Sequence, residues 1–207
     1  MSQAAASPYP KCHGMDQTDS LGVGWNKLMM WLFLCSDGMS FAGLICYYFV
    51  VRMSDKTWPD PNAQLGIWLT TLMTFILICS SLTMVKSLTA AHQGDRAAMG
   101  KWLGLTVAGG AFFLGCQAYE WNHLFHEGHA ITNNLFDATF FVMTGFHGCH
   151  VAGGVIYLGL LFLKTKMGRP PRPDSLESAG LYWHFVDLVW ILIFTFVYLI
   201  PPPPGSH

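Results

Sequence analysis

Charge is what this sequence has least of. Only 11% of its 207 residues are Asp, Glu, Lys or Arg, against about a quarter in an ordinary soluble domain. The signs nearly cancel, since 11 Lys and Arg face 12 Asp and Glu. No basic field exists to hold nucleic acid, so no nucleic-acid partner is expected. Scarce charge beside 52% hydrophobic residues also excludes a disordered chain. Cysteine is too sparse, at six residues, for a disulfide scaffold. The first 20 residues lack a positive segment leading into an apolar one, which predicts no cleavable signal peptide. No repeat of solenoid period is visible, and there is no CxxCH, Walker loop or GxGxxG.

What is present is long uncharged stretches. Residues 61–85 and 138–163 contain no Lys, Arg, Asp or Glu, and neither does 102–119. Residues 28–51 hold one acid, Asp37, and residues 178–200 hold one, Asp187. A helix crossing a bilayer needs about 20 mainly apolar residues. The pattern predicts an all-α polytopic membrane protein with five transmembrane helices, at about 26–51, 66–87, 101–123, 135–163 and 179–200. Helices of a soluble bundle would keep a polar face, and these do not. The chain then divides into a polar N-terminal extension (1–24), a five-helix membrane domain (25–200) and a Pro-rich C-terminal tail (201–207). Nine Lys and Arg fall on the side holding the N-terminus and only Arg52 and Lys56 on the other. By the positive-inside rule the N-terminus is inside and the C-terminus outside. Trp25, Trp31, Trp58, Trp68, Trp102 and Trp121 lie near helix ends, as interfacial belts do.

Ionisable groups at bilayer depth are costly and face partners or water. Asp37 lies 10 residues beyond Lys27, about 15 Å along a helix, which is mid-bilayer. His147 and His150 share a helix face, as do His184 and Asp187. Counting from the helix ends puts these five from mid-bilayer to the inner half, where they can line one polar seam. The same count puts Glu120, His123, His126 and His129 at or beyond the outer interface. The bland reading of the histidines is hydrogen-bonding glue between helices.

Metal chemistry has two openings here. Glu120-x-x-His123 has the spacing used in di-iron bundles. Such a bundle wants that pair twice and two further Glu, and the chain holds only Glu120, Glu127 and Glu177. A haem could instead take axial ligands from His147, His150 and His184, which makes a membrane haem or metal protein the alternative reading.

Three longer blocks go further. Thr144-Gly-Phe-His-Gly-Cys-His-Val151, Tyr182-Trp-His-Phe-Val-Asp-Leu-Val-Trp190 and Gln117-Ala-Tyr-Glu-Trp-Asn-His-Leu124 resemble the signatures of subunit III of haem–copper respiratory oxidases. The resemblance spans nearly all of 25–200, in its five-helix bacterial form. It implies a non-catalytic subunit with no haem, copper or other cofactor of its own. The complex would reduce oxygen to water and pump protons. Its partners would be oxidase subunit I as main contact, subunit II, phospholipid held in a cleft between the first two helices and the rest, and a wider respiratory supercomplex. Its place would be the bacterial plasma membrane. Asp37 would be the buried carboxylate supporting proton uptake. His147, His150, His184, Asp187, Glu120 and His123 would form a polar network fixing the bundle, with no catalytic residue and no metal ligand among them. Many cytochrome c oxidases carry Glu where Asp37 stands, and Asp is similar to quinol-oxidising members. Cytochrome c oxidase is the first reading and quinol oxidase the alternative.

Overall fold

The computed structural model describes residues 25–54, 58, 66–128, 132 and 134–200. The N-terminal extension, His129 and the Pro-rich tail lie outside the described residues. Five long helices run in sequence: α1 Trp25–Ser54, α2 Ile67–His92, α3 Arg96–His126, α4 Leu135–Lys166 and α5 Pro173–Ile193. A π-helix, Phe194–Leu199, continues α5. All five are long and apolar enough to cross a membrane. Each begins or ends up to six residues beyond its expected limit, because charged residues end an apolar run without ending a helix. α3 starts at Arg96 because Asp95 caps it. One carboxylate oxygen accepts from the N–H groups of Ala97 and Ala98, both at 3.0 Å. α2 stops at His92, and Gly94 just beyond its cap takes a φ of +75°, which suits glycine. α5 starts with Pro173 in its first turn, where a missing N–H costs nothing.

Helices α2, α3, α4 and α5 form a four-membered ring of neighbours, and α1 lies outside it against α5 and α4. α1 is consequently the helix least covered by the rest of the chain. The first two helices do not form a packed pair. Trp183 of α5 sits at the centre of the ring. Its indole fits between two backbones that carry no side chain there. A methyl group at Gly110 of α3 would lie 2.5 Å from that ring, and one at Gly154 of α4 would lie 2.9 Å from it. Its Nε1 donates to Ser80 Oγ of α2 at 3.1 Å. One residue thus touches all three neighbours. Two turns on, Trp190 Nε1 donates to Thr74 Oγ1 of α2 at 2.8 Å. Thr83 and Thr106 share a hydrogen bond of 2.7 Å between α2 and α3. These are the short polar links expected where lipid supplies no hydrogen bonds.

One belt assignment is corrected. Trp58 is 1% exposed. It packs edge-on against Tyr48 of α1 and Phe136 of α4, so it fills the interior instead of facing headgroups. Trp25 and Trp68 are exposed, as a belt requires.

At the cation-rich end, Glu177 of α5 accepts from Lys27 of α1 at 2.9 Å. Its other oxygen lies 3.3 Å from His92 Nε2 of α2. At the opposite end, Arg52 Nη2 reaches the Ile200 carbonyl at 3.5 Å.

Gly110→Val is expected to destabilise the bundle by about 1–3 kcal/mol, because Trp183 has nowhere to move. Gly115→Val, at a site open to the surroundings, should cost far less. Thermal denaturation in mild detergent compares the two, and equal losses would contradict the central place given to Trp183.

Candidate functional site

Asp37 of α1 and His150 of α4 form a direct pair, with Oδ1 and Nε2 3.0 Å apart. Both are largely withdrawn from the surface, Asp37 at 8% and His150 at 17% side-chain exposure. The other imidazole nitrogen decides the protonation pattern. His150 Nδ1 lies 2.7 Å from the Phe146 carbonyl. A carbonyl only accepts, so Nδ1 carries hydrogen. Nε2 is thereby left to face the Asp37 carboxyl. Tyr182 of α5 donates to the His150 carbonyl at 2.9 Å, which ties the third helix of this junction. Phe41 covers the imidazole edge-on. Gly38, one residue after Asp37, lets the Phe185 ring of α5 approach, since a methyl there would already touch it at 3.6 Å. Asp37 Oδ2 is buried with no partner among the described residues.

The expected seam is divided among helix junctions. His147 is 1% exposed and lies in an aromatic enclosure. It stacks on Trp190 at 5.0 Å and takes ring edges from Phe113 and Phe41. Neither ring nitrogen has a partner among the described residues. His184 faces α2, where its Nδ1 meets Ser81 Oγ at 2.5 Å. Ser81 also neighbours Asp187, which is buried at 6% exposure. Asp37 with His150 therefore joins α1 to α4, while His184 and Asp187 serve the α2–α5 junction.

The expectations for helix three are revised. Glu120 is 4% exposed and faces the interior of the bundle. It accepts from Thr70 of α2 at 3.0 Å, Gln117 at 3.3 Å and Tyr198 of the π-helix at 3.1 Å. Among the described residues three neutral donors and no cation surround it. The π turn matters here, because residue i+5 falls above residue i. Tyr198 thus lies above Ile193, and both are fully buried. His123, expected beside Glu120 in the bundle network, is exposed. Its Nδ1 lies 3.6 Å from Glu127 one turn on. His126 is exposed as well.

The partners Ser81, Thr70 and Tyr198 were not singled out from sequence. Serine and threonine are too common in membrane helices to stand out, and their role depends on which helix faces them.

The family described as cytochrome c oxidase subunit III matches residues 12–201. A probable cytochrome c oxidase subunit 3 of Nocardia farcinica is 36% identical over 193 residues, covering 92% of this chain and 93% of that protein. The cytochrome c oxidase subunit 3 of Synechocystis is 40% identical over 173 residues, 82% of this chain and 73% of that one. That of Bacillus sp. PS3 is 38% identical over 182 residues, 86% and 87%.

This chain belongs to the cytochrome c oxidase subunit III family. The match covers all five helices. With its bacterial relatives it is a multi-pass membrane protein of the respiratory chain, and a subunit of a haem–copper oxidase. Among the described residues of this subunit III, no group of three or more His, Cys, Asp and Glu could hold a metal ion. Both ring nitrogens of His150 are engaged, and so is Nδ1 of His184.

Asp37→Ala and His150→Ala should each lower stability by about 1–3 kcal/mol, because each leaves the other group buried and unpaired. The double variant should cost less than the sum. Asp37→Asn still donates to Nε2 and should be the mildest. Melting curves of the detergent-purified protein check this, and additive losses would show the two residues to be uncoupled.

Proposed function

We propose that this chain is the accessory subunit of a proton-pumping terminal oxidase. It packs against catalytic subunit I and beside subunit II, stabilises the former during turnover, and supports proton uptake through Asp37. The observation that carries this reading is the Asp37–His150 pair. It sets a buried carboxyl against an imidazole on the helix that this chain covers least, an arrangement suited to holding a proton. The uncovered face of α1 carries Met29, Trp31, Leu32, Met39, Val50 and Met53, an apolar surface suited to a neighbouring helix or lipid. The N-terminus is inside and the C-terminus outside, supported by the cations at the end that holds the α2–α3 turn and the α4–α5 loop.

A cleft for phospholipid belongs to the same reading. Since α1 rests on α4 and α5, its counterpart here is the recess of about 310 Å³ lined by Met29, Met30, Phe33, Tyr157, Ser175 and Ser178. The relatives' names favour cytochrome c as the donor of the complex over quinol. The donor's redox site lies in partner subunits in this reading, so Asp37 has no part in choosing it.

Asp37→Ala is expected to leave the initial rate of oxygen consumption largely intact and to shorten the active lifetime, or slow proton uptake. Oxygen-electrode traces of the intact complex, carried through many turnovers, check both. An immediate and complete loss of electron transfer would contradict an accessory role. So would purification in mild detergent without a haem- and copper-bearing partner.

A further inference from the structure

We propose that the groove between α3 and α4 at the cation-rich end is a binding site for one anionic phospholipid, separate from the recess beside α1. The groove encloses about 490 Å³. One wall is a single face of α3, formed by Arg96, Ala97, Gly100, Lys101 and Gly104, which recur at helical spacing. The other wall is the last turns of α4, with Phe162, Thr165 and Lys166.

The residues sort by depth into a charged mouth and an apolar floor. Arg96 and Lys101 stand on the first two turns of α3, and Lys166 on the last turn of α4. Three cations therefore meet at one opening. Among the described residues no carboxylate lies within ion-pair range of any of them. The nearest acid in sequence, Asp95, turns its oxygen onto the N–H groups of Ala97 and Ala98. Glu177, at the same membrane end, is occupied by Lys27 and His92. Among the described residues the three cations are thus left without a carboxylate partner.

Beneath them the floor is built for a hydrocarbon chain. Phe162 lies flat along α3 because residue 104 is glycine, and a methyl there would sit 2.9 Å from the ring. Thr165 spends its hydroxyl on the Leu161 carbonyl at 2.9 Å. That leaves its methyl toward Gly100, where an added methyl would lie 3.3 Å away. Lys166 Nζ lies over the Phe162 ring at 5.1 Å from its centre, so its charge stands at the edge of the apolar floor. The same face of α3 continues toward mid-membrane as Ala108, Ala111 and Gly115, all exposed, a shallow track for an acyl chain.

Charge above and hydrocarbon below is the chemistry of a phospholipid with net negative charge. Basic pockets between membrane helices on the cytoplasmic side are filled by such headgroups. A zwitterionic lipid would leave the three cations uncompensated. A free phosphate would leave the floor empty. The proposal needs only that α3 and α4 cross a bilayer, so it stands or falls apart from the accessory role above.

The test uses the full chain, purified in mild detergent with whatever partners accompany it. Native mass spectrometry reads the lipids retained after exposure to mixed micelles of phosphatidylglycerol and phosphatidylcholine. One phosphatidylglycerol should stay bound. Each Lys or Arg near a membrane surface favours an anionic headgroup about fivefold. The variant R96Q/K101Q/K166Q should therefore weaken retention by roughly a hundredfold. Ala97→Trp, which fills the groove and keeps its charge, should lose the same lipid. The control K86Q/K164Q/R169Q removes equal charge from the same end outside the groove and should retain it. Equal loss in the control would show a diffuse field in place of a site and overturn the proposal. So would equal retention of phosphatidylcholine, or displacement of the lipid by inorganic phosphate. If Ala97→Cys in the lipid-stripped protein resists a soluble maleimide, another protein covers the groove, and that also overturns it.

Discussion

A bilayer supplies no hydrogen-bond partners, so every polar group on a spanning helix must be answered by another helix. That constraint organises this protein. Trp183 and Trp190 bury large apolar surfaces at the centre of the ring, and each has an N–H to satisfy. The answers come from Ser80 and Thr74 of the same neighbouring helix. Two donors on one face of α5 thereby set its position against α2. Gly110 and Gly154 then bring α3 and α4 close enough to close around Trp183. The packing follows from the polar links and would lose its register without them.

The acids obey the same rule in different ways. Asp37 is answered by His150, whose other ring nitrogen is held by the Phe146 carbonyl. Glu120 is answered by three neutral donors from two other elements and its own helix. Glu177 stands near a helix start and is answered by Lys27 and His92, as an exposed position permits. Close side-chain partners inside and an ordinary ion pair at the end fit the rising cost of charge with depth.

Much of this was legible in the sequence. Five spans follow from the length of the uncharged stretches, because bilayer thickness leaves few alternatives. The depth of Asp37 follows from its distance to Lys27. Its partner does not, since pairing depends on which face of α4 meets α1. The enclosure of Glu120 is hidden in the same way, since it depends on Thr70 of α2 lying opposite it. His123, three residues on, is turned outward by the helix. Trp58 fits a belt by sequence position, yet Tyr48 and Phe136 enclose it. In each case the missing information was rotation about a helix axis, which periodicity cannot supply when every face is apolar.

The π turn at the end of α5 has a consequence for chain length. An α-helix turns about 100° per residue, and a π turn uses one residue more to close. Phe194–Leu199 is thus a regular helix with one residue too many, and that surplus aims Tyr198 inward. Deleting a single residue there would restore the ordinary turn and keep the phenol on its face, whereas the same residues wound as an ordinary helix would swing it away by about 100°. Glu120 would then lose one of its three donors. The surplus residue at the tip of the last helix thus holds the phenol against Glu120 of α3.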